Sequence, residues 1–166
     1  MTAERQPARK WQASGAITAV VLAIAAREGY RAQAYHPIKG DEMTIGYGST
    51  HHEDGSPIRP GETITQERAR IMLQSDTDKT ATAIAKCLGD VPLYEWEWAA
   101  YLSFSYNVGA PSFCKSTIVK KLHQRPPDYP GACAQLLRWT YAQGRVVPGL
   151  VNRRKEEYEQ CMGGSK

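Results

Sequence analysis

The sequence predicts an α+β fold, mostly helical, with one small β-hairpin lobe near the N terminus. Three observations lead there. Ile17, Val20, Val21 and Ile24 fall at i, i+3, i+4 and i+7, the stripe of a single helix face. That period then breaks: Pro37, Gly40, Gly46 and Gly48 exclude a helix, while Met43, Ile45 and Tyr47 alternate with Thr44 and Gly46 as in a short strand. From Gln66 onward helical spacing returns and holds almost to the end of the chain.

Composition bounds the rest. With 166 residues, 42% of them apolar and 23% charged, the chain is excluded from the disordered class and is expected to bury one core. Lys and Arg number 21 against 17 Asp and Glu, and the resulting +4 favours anionic partners without pointing to nucleic acid. The four cysteines, Cys87, Cys114, Cys133 and Cys161, form no CxxC pair, so metal-ligand spacing is absent and the choice lies between buried thiols and two disulfides.

Residues 1–13 read as a basic tail carrying Arg5, Arg9 and Lys10, and residues 14–166 as one domain. Its first helix is expected over 14–28, with Ser14 as cap. The uncharged run Trp11–Ala26 is short for a membrane span, which takes about 20 strongly apolar residues, and AIAA resembles a signal-peptide cleavage site. A core helix and a weak membrane role of residues 13–26 are compatible if the segment inserts first and joins the fold later. Glu28 extends the apolar stripe by one turn. There its carboxylate is expected to be partly desolvated, which favours the protonated form that a general acid needs. The plain alternative is a surface Glu before a Gly29 cap.

Residues 29–64 form the expected β lobe, with a turn at Lys39-Gly40-Asp41 and a strand whose glycines leave room for a bulky ligand. A hairpin that uses its glycines for twist alone is the alternative. In the loop from His51 to Thr63, the two adjacent histidines have no third ligand at metal spacing. Residues 65–166 form the helical lobe. Thr65 caps a helix over 66–86 on which Arg68, Arg70, Asp76, Asp78 and Lys79 read as a solvated face. Trp96, Trp98, Tyr101, Phe104 and Tyr106 crowd a central buried helix ended by Gly109. Short helices are expected over 116–123 and 132–141 and a last one over 151–162, with Arg153, Arg154 and Lys155 facing solvent or an acidic ligand.

Glu28-Gly29, Ala34-Tyr35 and Thr44-Ile45-Gly46-Tyr47-Gly48 together resemble the catalytic segment of phage-type lysozymes, the endolysins that cut peptidoglycan. Ser103-Phe104-Ser105-Tyr106-Asn107-Val108-Gly109, Arg138-Trp139-Thr140-Tyr141-Ala142 and the stretch from Gly149 through Asn152-Arg153-Arg154 are similar to that family in the same order. The resemblance implies a lysozyme-like fold and cleavage of the β-1,4 bond between N-acetylmuramic acid and N-acetylglucosamine. It makes Glu28 the proton donor, followed in the family by an Asp nine residues on and a Thr six further. This chain departs from that spacing, with Pro37 at the Asp place and Thr44 sixteen residues after Glu28. Asp41, in a loop one residue longer, is the chosen second carboxylate, with Glu42 beside it; Thr44 with a water and no second carboxylate is the alternative. Tyr47 and Gly46 are the expected sugar contacts, and Asn107 and Arg153 are structural or substrate-lining.

The resemblance further implies no cofactor and no metal. The partner is the glycan strand of peptidoglycan, with no nucleic acid, transient membrane association through residues 13–26, and a monomeric state. The protein would be made in the host cytoplasm and act in the periplasm or wall. Under this reading the expected disulfides are Cys87–Cys114 and Cys133–Cys161, although four cysteines allow three connectivities and buried free thiols stay open. Three rival functions stand beside it: a lytic transglycosylase using Glu28 alone, an inactive peptidoglycan-binding or tail-associated protein, and a membrane-anchored interaction protein.

Overall fold

The computed structural model of the protein describes residues 3–12 and 15–164; Ser14, the expected cap, lies outside them. In chain order the elements are β1 (Gln6–Pro7), α1 (Ala8–Gln12), α2 (Ala16–Glu28), β2 (Arg31–Tyr35), β3 (Thr44–Gly46) and α3 (Gln66–Leu88). They continue with β4 (Pro92–Leu93), α4 (Glu95–Val108), α5 (Ala110–Cys114), α6 (Thr117–Leu122), α7 (Tyr129–Leu136), β5 (Tyr141–Ala142), β6 (Arg145–Val146) and α8 (Pro148–Cys161). Two compact units result, residues 18–79 and residues 1–17 with 80–166.

In the first unit, α2 turns its predicted stripe inward. Val20, Val21 and Ile24 are buried, while Leu22, on another face, is 65% exposed. Strands β2 and β3 pair antiparallel through Arg31↔Gly46 and Tyr35↔Thr44, and a bulge takes up the extra residues on β2. Residues 62–64 return alongside β2, with Ala34 N donating to Glu62 O and Ile64 N to Ala32 O. Ile45, Ile58 and Met72 close the core beneath this ribbon, joined at its edge by Ala34, Met43 and Ile64. Full burial of such side chains contributes about 1.5–3 kcal/mol each, enough to hold a small sheet that could not stand alone.

In the second unit, α4 is buried from Glu97 through Ser105, as its two-sided apolar pattern predicts, and its most extensive partner is α8. Gly109, at φ +89°, ends it. Disulfides join Cys87 to Cys114 and Cys133 to Cys161, the first tying the end of α3 to α5 and the second tying α7 to α8. With sequence separations of 27 and 28, each is worth about 3.5 kcal/mol in the chain-entropy account.

Three expectations fail in this unit. The helix placed over 132–141 runs instead from Tyr129 to Leu136, because Asp128 caps it by accepting from Gly131 N at 2.9 Å. Beyond it β5 and β6 form a hairpin whose turn residues, Gln143 and Gly144, both have positive φ, as a primed two-residue turn requires. Arg153 and Arg154 do not face solvent: the Arg154 side chain is 0% exposed, and Arg153 pairs with Glu157 one turn on. Nor are residues 3–12 left as a bare tail. β1 pairs with β4, and Trp11 Nε1 donates to Leu93 O at 3.0 Å.

Candidate active site

The expected catalytic residues all fall within residues 18–79. Glu28 is the last residue of α2, and Gly29, at φ +70°, lets the chain leave the helix with its N–H bonded to Ala25 O. Glu28 is exposed, so the desolvation expected from its apolar stripe is not what the structure places there. Three residues later the chain enters the ribbon at the Arg31↔Gly46 pair.

Thr44 closes the other end of that ribbon, opposite Tyr35. It is 4% exposed, and its hydroxyl donates to Glu42 O at 3.2 Å, which leaves Oγ1 as an acceptor. Asp41 lies in the loop between the strands. Its carboxylate is exposed, and its backbone is fixed on both sides, with Asp41 N donating to Ile38 O and His36 Nδ1 lying 2.9 Å from Asp41 O. Pro37 sits earlier in the same exposed loop. The two carboxylates therefore join the ribbon from opposite ends.

The expected sugar contacts turn out otherwise. Tyr47 is 4% exposed; its ring packs 5.8 Å from that of Tyr30, and its hydroxyl accepts from Gln66 Nε2 at 3.0 Å. A Cβ on Gly46 would stand 2.9 Å from Ala69 Cβ of α3. The glycine thus admits a helix rather than a ligand, and Tyr47 is packing rather than a sugar platform.

One carboxylate expected on a solvated face is placed otherwise. Asp76, on α3, is half-buried and accepts from Ser49 Oγ at 2.6 Å. Burial pushes its pKa above the usual carboxylate range, and the Ser49 hydrogen bond opposes the shift. A nearby surface pair, Arg68 to Glu53 at 2.6 Å, and His52 with Glu62 at 2.9 Å hold the following loop. Among the described residues no cluster of His, Cys, Asp and Glu is arranged to hold a metal ion.

Residues 25–157 match the phage lysozyme family. The chain belongs to the phage lysozyme family. The SAR-endolysin of bacteriophage PS119 is 39% identical over 140 residues, covering 84% of this chain and 78% of that protein. An endolysin from Escherichia coli O157:H7 phage FAHEc1 is similar in structure, with a TM-score of 0.75 at 31% identity over 87% of this chain and 91% of the other. The muramidase domain of SpmX from Asticaccaulis excentricus follows with a TM-score of 0.73 at 26% identity, over 87% and 95%. In this phage lysozyme the matched region contains Glu28, Asp41 and Thr44, while the segment 3–12 lies outside it.

Proposed function

We propose that this phage lysozyme is an endolysin, a peptidoglycan hydrolase that cleaves the β-1,4 bond between N-acetylmuramic acid and N-acetylglucosamine during host lysis. The observation that carries the reading is Glu28, an exposed carboxylate at a helix end three residues before a ribbon that ends at Thr44, with Asp41 in the loop joining its strands. A glycosidic oxygen leaves readily only when it is protonated as the bond breaks, and the sugar then becomes oxocarbenium-like. Glu28 donates that proton. Asp41 stabilises the positive charge and activates a water. Thr44, its proton committed to Glu42 O, offers Oγ1 to an O–H of that water.

Glu28 and Asp41 enter the ribbon from its two ends, the Arg31↔Gly46 and Tyr35↔Thr44 pairs. Inversion, the course that the family resemblance favours, needs two carboxyls far enough apart to hold the attacking water, about 6.5–9.5 Å rather than the roughly 5 Å of retaining enzymes.

Action outside the reducing cytosol, in the periplasm or wall, fits two disulfides. Among the described residues no helix is long and apolar enough to cross a membrane. A weak, releasable association of residues 13–26 is supported by the SAR-endolysin relatives. Pro37, standing where the resemblance expects an Asp, favours one second reading, a lytic transglycosylase in which the substrate's own 6-hydroxyl attacks. Digestion of purified peptidoglycan decides. Hydrolysis yields reducing ends that vanish in Glu28→Gln, whereas 1,6-anhydro ends would establish the transglycosylase, and an inactive wild type would leave only a binding protein.

A further inference from the structure

The segment ahead of α2 is held by one side chain in the manner of a bound ligand. The Arg5 guanidinium carbon lies 4.2 Å from the ring centroid of Tyr94 and 3.7 Å from that of Tyr129. In the same place Arg5 Nε donates to Glu97 Oε2 at 3.2 Å and Nη2 donates to Oε1 at 2.9 Å. Two aromatic faces and a carboxylate fork match a flat guanidinium; an ammonium can lie over a ring but can make neither the two-pronged carboxylate contact nor the planar stacking.

Each wall of this site is positioned by something other than Arg5. Glu97, 3% exposed on the first turn of α4, also accepts from Tyr94 N at 2.8 Å. Tyr129 donates its hydroxyl to Pro92 O at 2.7 Å, and Trp96 stacks on Tyr94 with centroids 4.3 Å apart. A cavity of about 150 Å³ opens beside the guanidinium and reaches the Cys133–Cys161 bridge. Other attachments of the segment include the two-residue β1–β4 ladder, the Trp11 hydrogen bond, a hydrogen bond from Gln12 Nε2 to Thr82 Oγ1 at 3.4 Å and the burial of Ala8.

We propose that Tyr94, Glu97 and Tyr129 form a guanidinium-binding site whose resident ligand is this chain's own Arg5, so that residues 3–12 are a detachable strap. The site is preorganised by α4 and by the Tyr129–Pro92 bond, and the strap supplies the cation. The occupant reaches it within one chain, so its local concentration is high and independent of protein concentration. The inference stands apart from the catalytic reading, because its residues and readouts belong to the unit of residues 80–166 and its N-terminal segment.

The test uses the full chain. Trypsin cleavage after Arg9 and Lys10 reads the strap, and the indole N–H resonance of Trp96 reads the site. In Arg5→Ala cleavage rises about tenfold or more, the factor that charge-assisted hydrogen bonds are worth. Arg5→Lys is cleaved almost as fast, since the charge alone does not restore the fork. Ethylguanidinium shifts the Trp96 resonance saturably in Arg5→Ala and far less in the wild type, where Arg5 competes. Wild-type cleavage rates in Arg5→Lys, or no saturable shift in Arg5→Ala, would overturn the proposal. So would strap protection that falls on dilution, which would assign the occupant to a second copy. Should Arg5→Ala fail to fold, Arg5→Lys carries the same cleavage reading, and ethylguanidinium competing with the wild-type strap carries the other.

Discussion

Arg154 and Glu157 form an ion pair with both side chains 0% exposed, Arg154 Nε standing 3.0 Å from Glu157 Oε2. The pair is embedded: Ser103 Oγ donates to Glu157 Oε1 at 2.8 Å, Arg154 Nη2 donates to Asn107 Oδ1 at 2.8 Å, and the guanidinium lies over the Phe104 ring. Burial pushes the Glu157 pKa up, and Arg154 opposes the shift. Two charges so placed contribute little net stability, yet each depends on the other. Arg154→Met is expected to lower the unfolding free energy by less than the roughly 3–5 kcal/mol of a fully stranded charge, because Arg153 and Ser103 still hold Glu157. Adding Glu157→Leu should recover only part of that loss, because it takes the carboxylate from Arg153 and Ser103 as well, as urea unfolding of the wild type and the two variants will measure.

Gly46 is squeezed from two directions. Its φ of +66° is costly for any residue with a side chain, by about 1–2 kcal/mol. An added Cβ also meets Ala69 Cβ at 2.9 Å, an overpacking that costs about 1–3 kcal/mol more. Gly46→Ala should therefore destabilise the protein by about 2–5 kcal/mol by urea unfolding. Combining it with Ala69→Gly should relieve only the steric part, less the roughly 1 kcal/mol that glycine costs inside a helix. Full recovery in the double variant would show that the backbone conformation costs nothing.

These two cases show what the sequence could and could not convey. Ile17, Val20, Val21 and Ile24 announce their helix face because periodicity is a local signal, and all four are buried. The double-sided apolar run of α4 was legible for the same reason. Gly46 declared that something approaches closely but not what. Its neighbour is Ala69, twenty-three positions away, and only the fold shows that a helix and not a sugar fills the space. Arg154 reads as exposed because charge on a helix normally means solvent; its partner Asn107 on α4, and the Ser103 that binds its neighbour Glu157, reach it only through the packing of α4 on α8. Glu28 and Thr44 stood out by motif, whereas Asp41 rests on a loop whose length departs from the family spacing.

Asp76 gives a pH dependence with a definite sign. Its ordinary value of 3.8 is raised in the folded protein, chiefly by burial, so between the two values the folded state holds more protons than the unfolded one. Its contribution is full below the unfolded value and is lost as pH rises through the folded value. Asp76→Asn should flatten this fall, visible as a smaller drop in melting temperature from acid toward neutral pH. Ser49→Ala should extend the fall to higher pH, because it removes the hydroxyl that favours the charged form. An unchanged profile in Asp76→Asn would show that burial of this carboxylate does not govern the slope.

Asp41 carries the sharpest remaining question about the chemistry, and its exposure makes the question clean. Because its side chain lies in an exposed loop, Asp41→Asn should leave the melting temperature nearly unchanged. If it positions and activates the attacking water, the same change should lower kcat on peptidoglycan by about a hundredfold to ten-thousandfold, the range for a positioned general base. Glu42→Gln, one residue on, serves as the matched control and should retain most activity. KM should move little in Asp41→Asn, since the group acts in the transition state rather than in ground-state binding. Should Glu42→Gln lose activity and Asp41→Asn keep it, the base lies one residue later. Should both keep it while reducing ends still form, Thr44 and a water suffice beside Glu28.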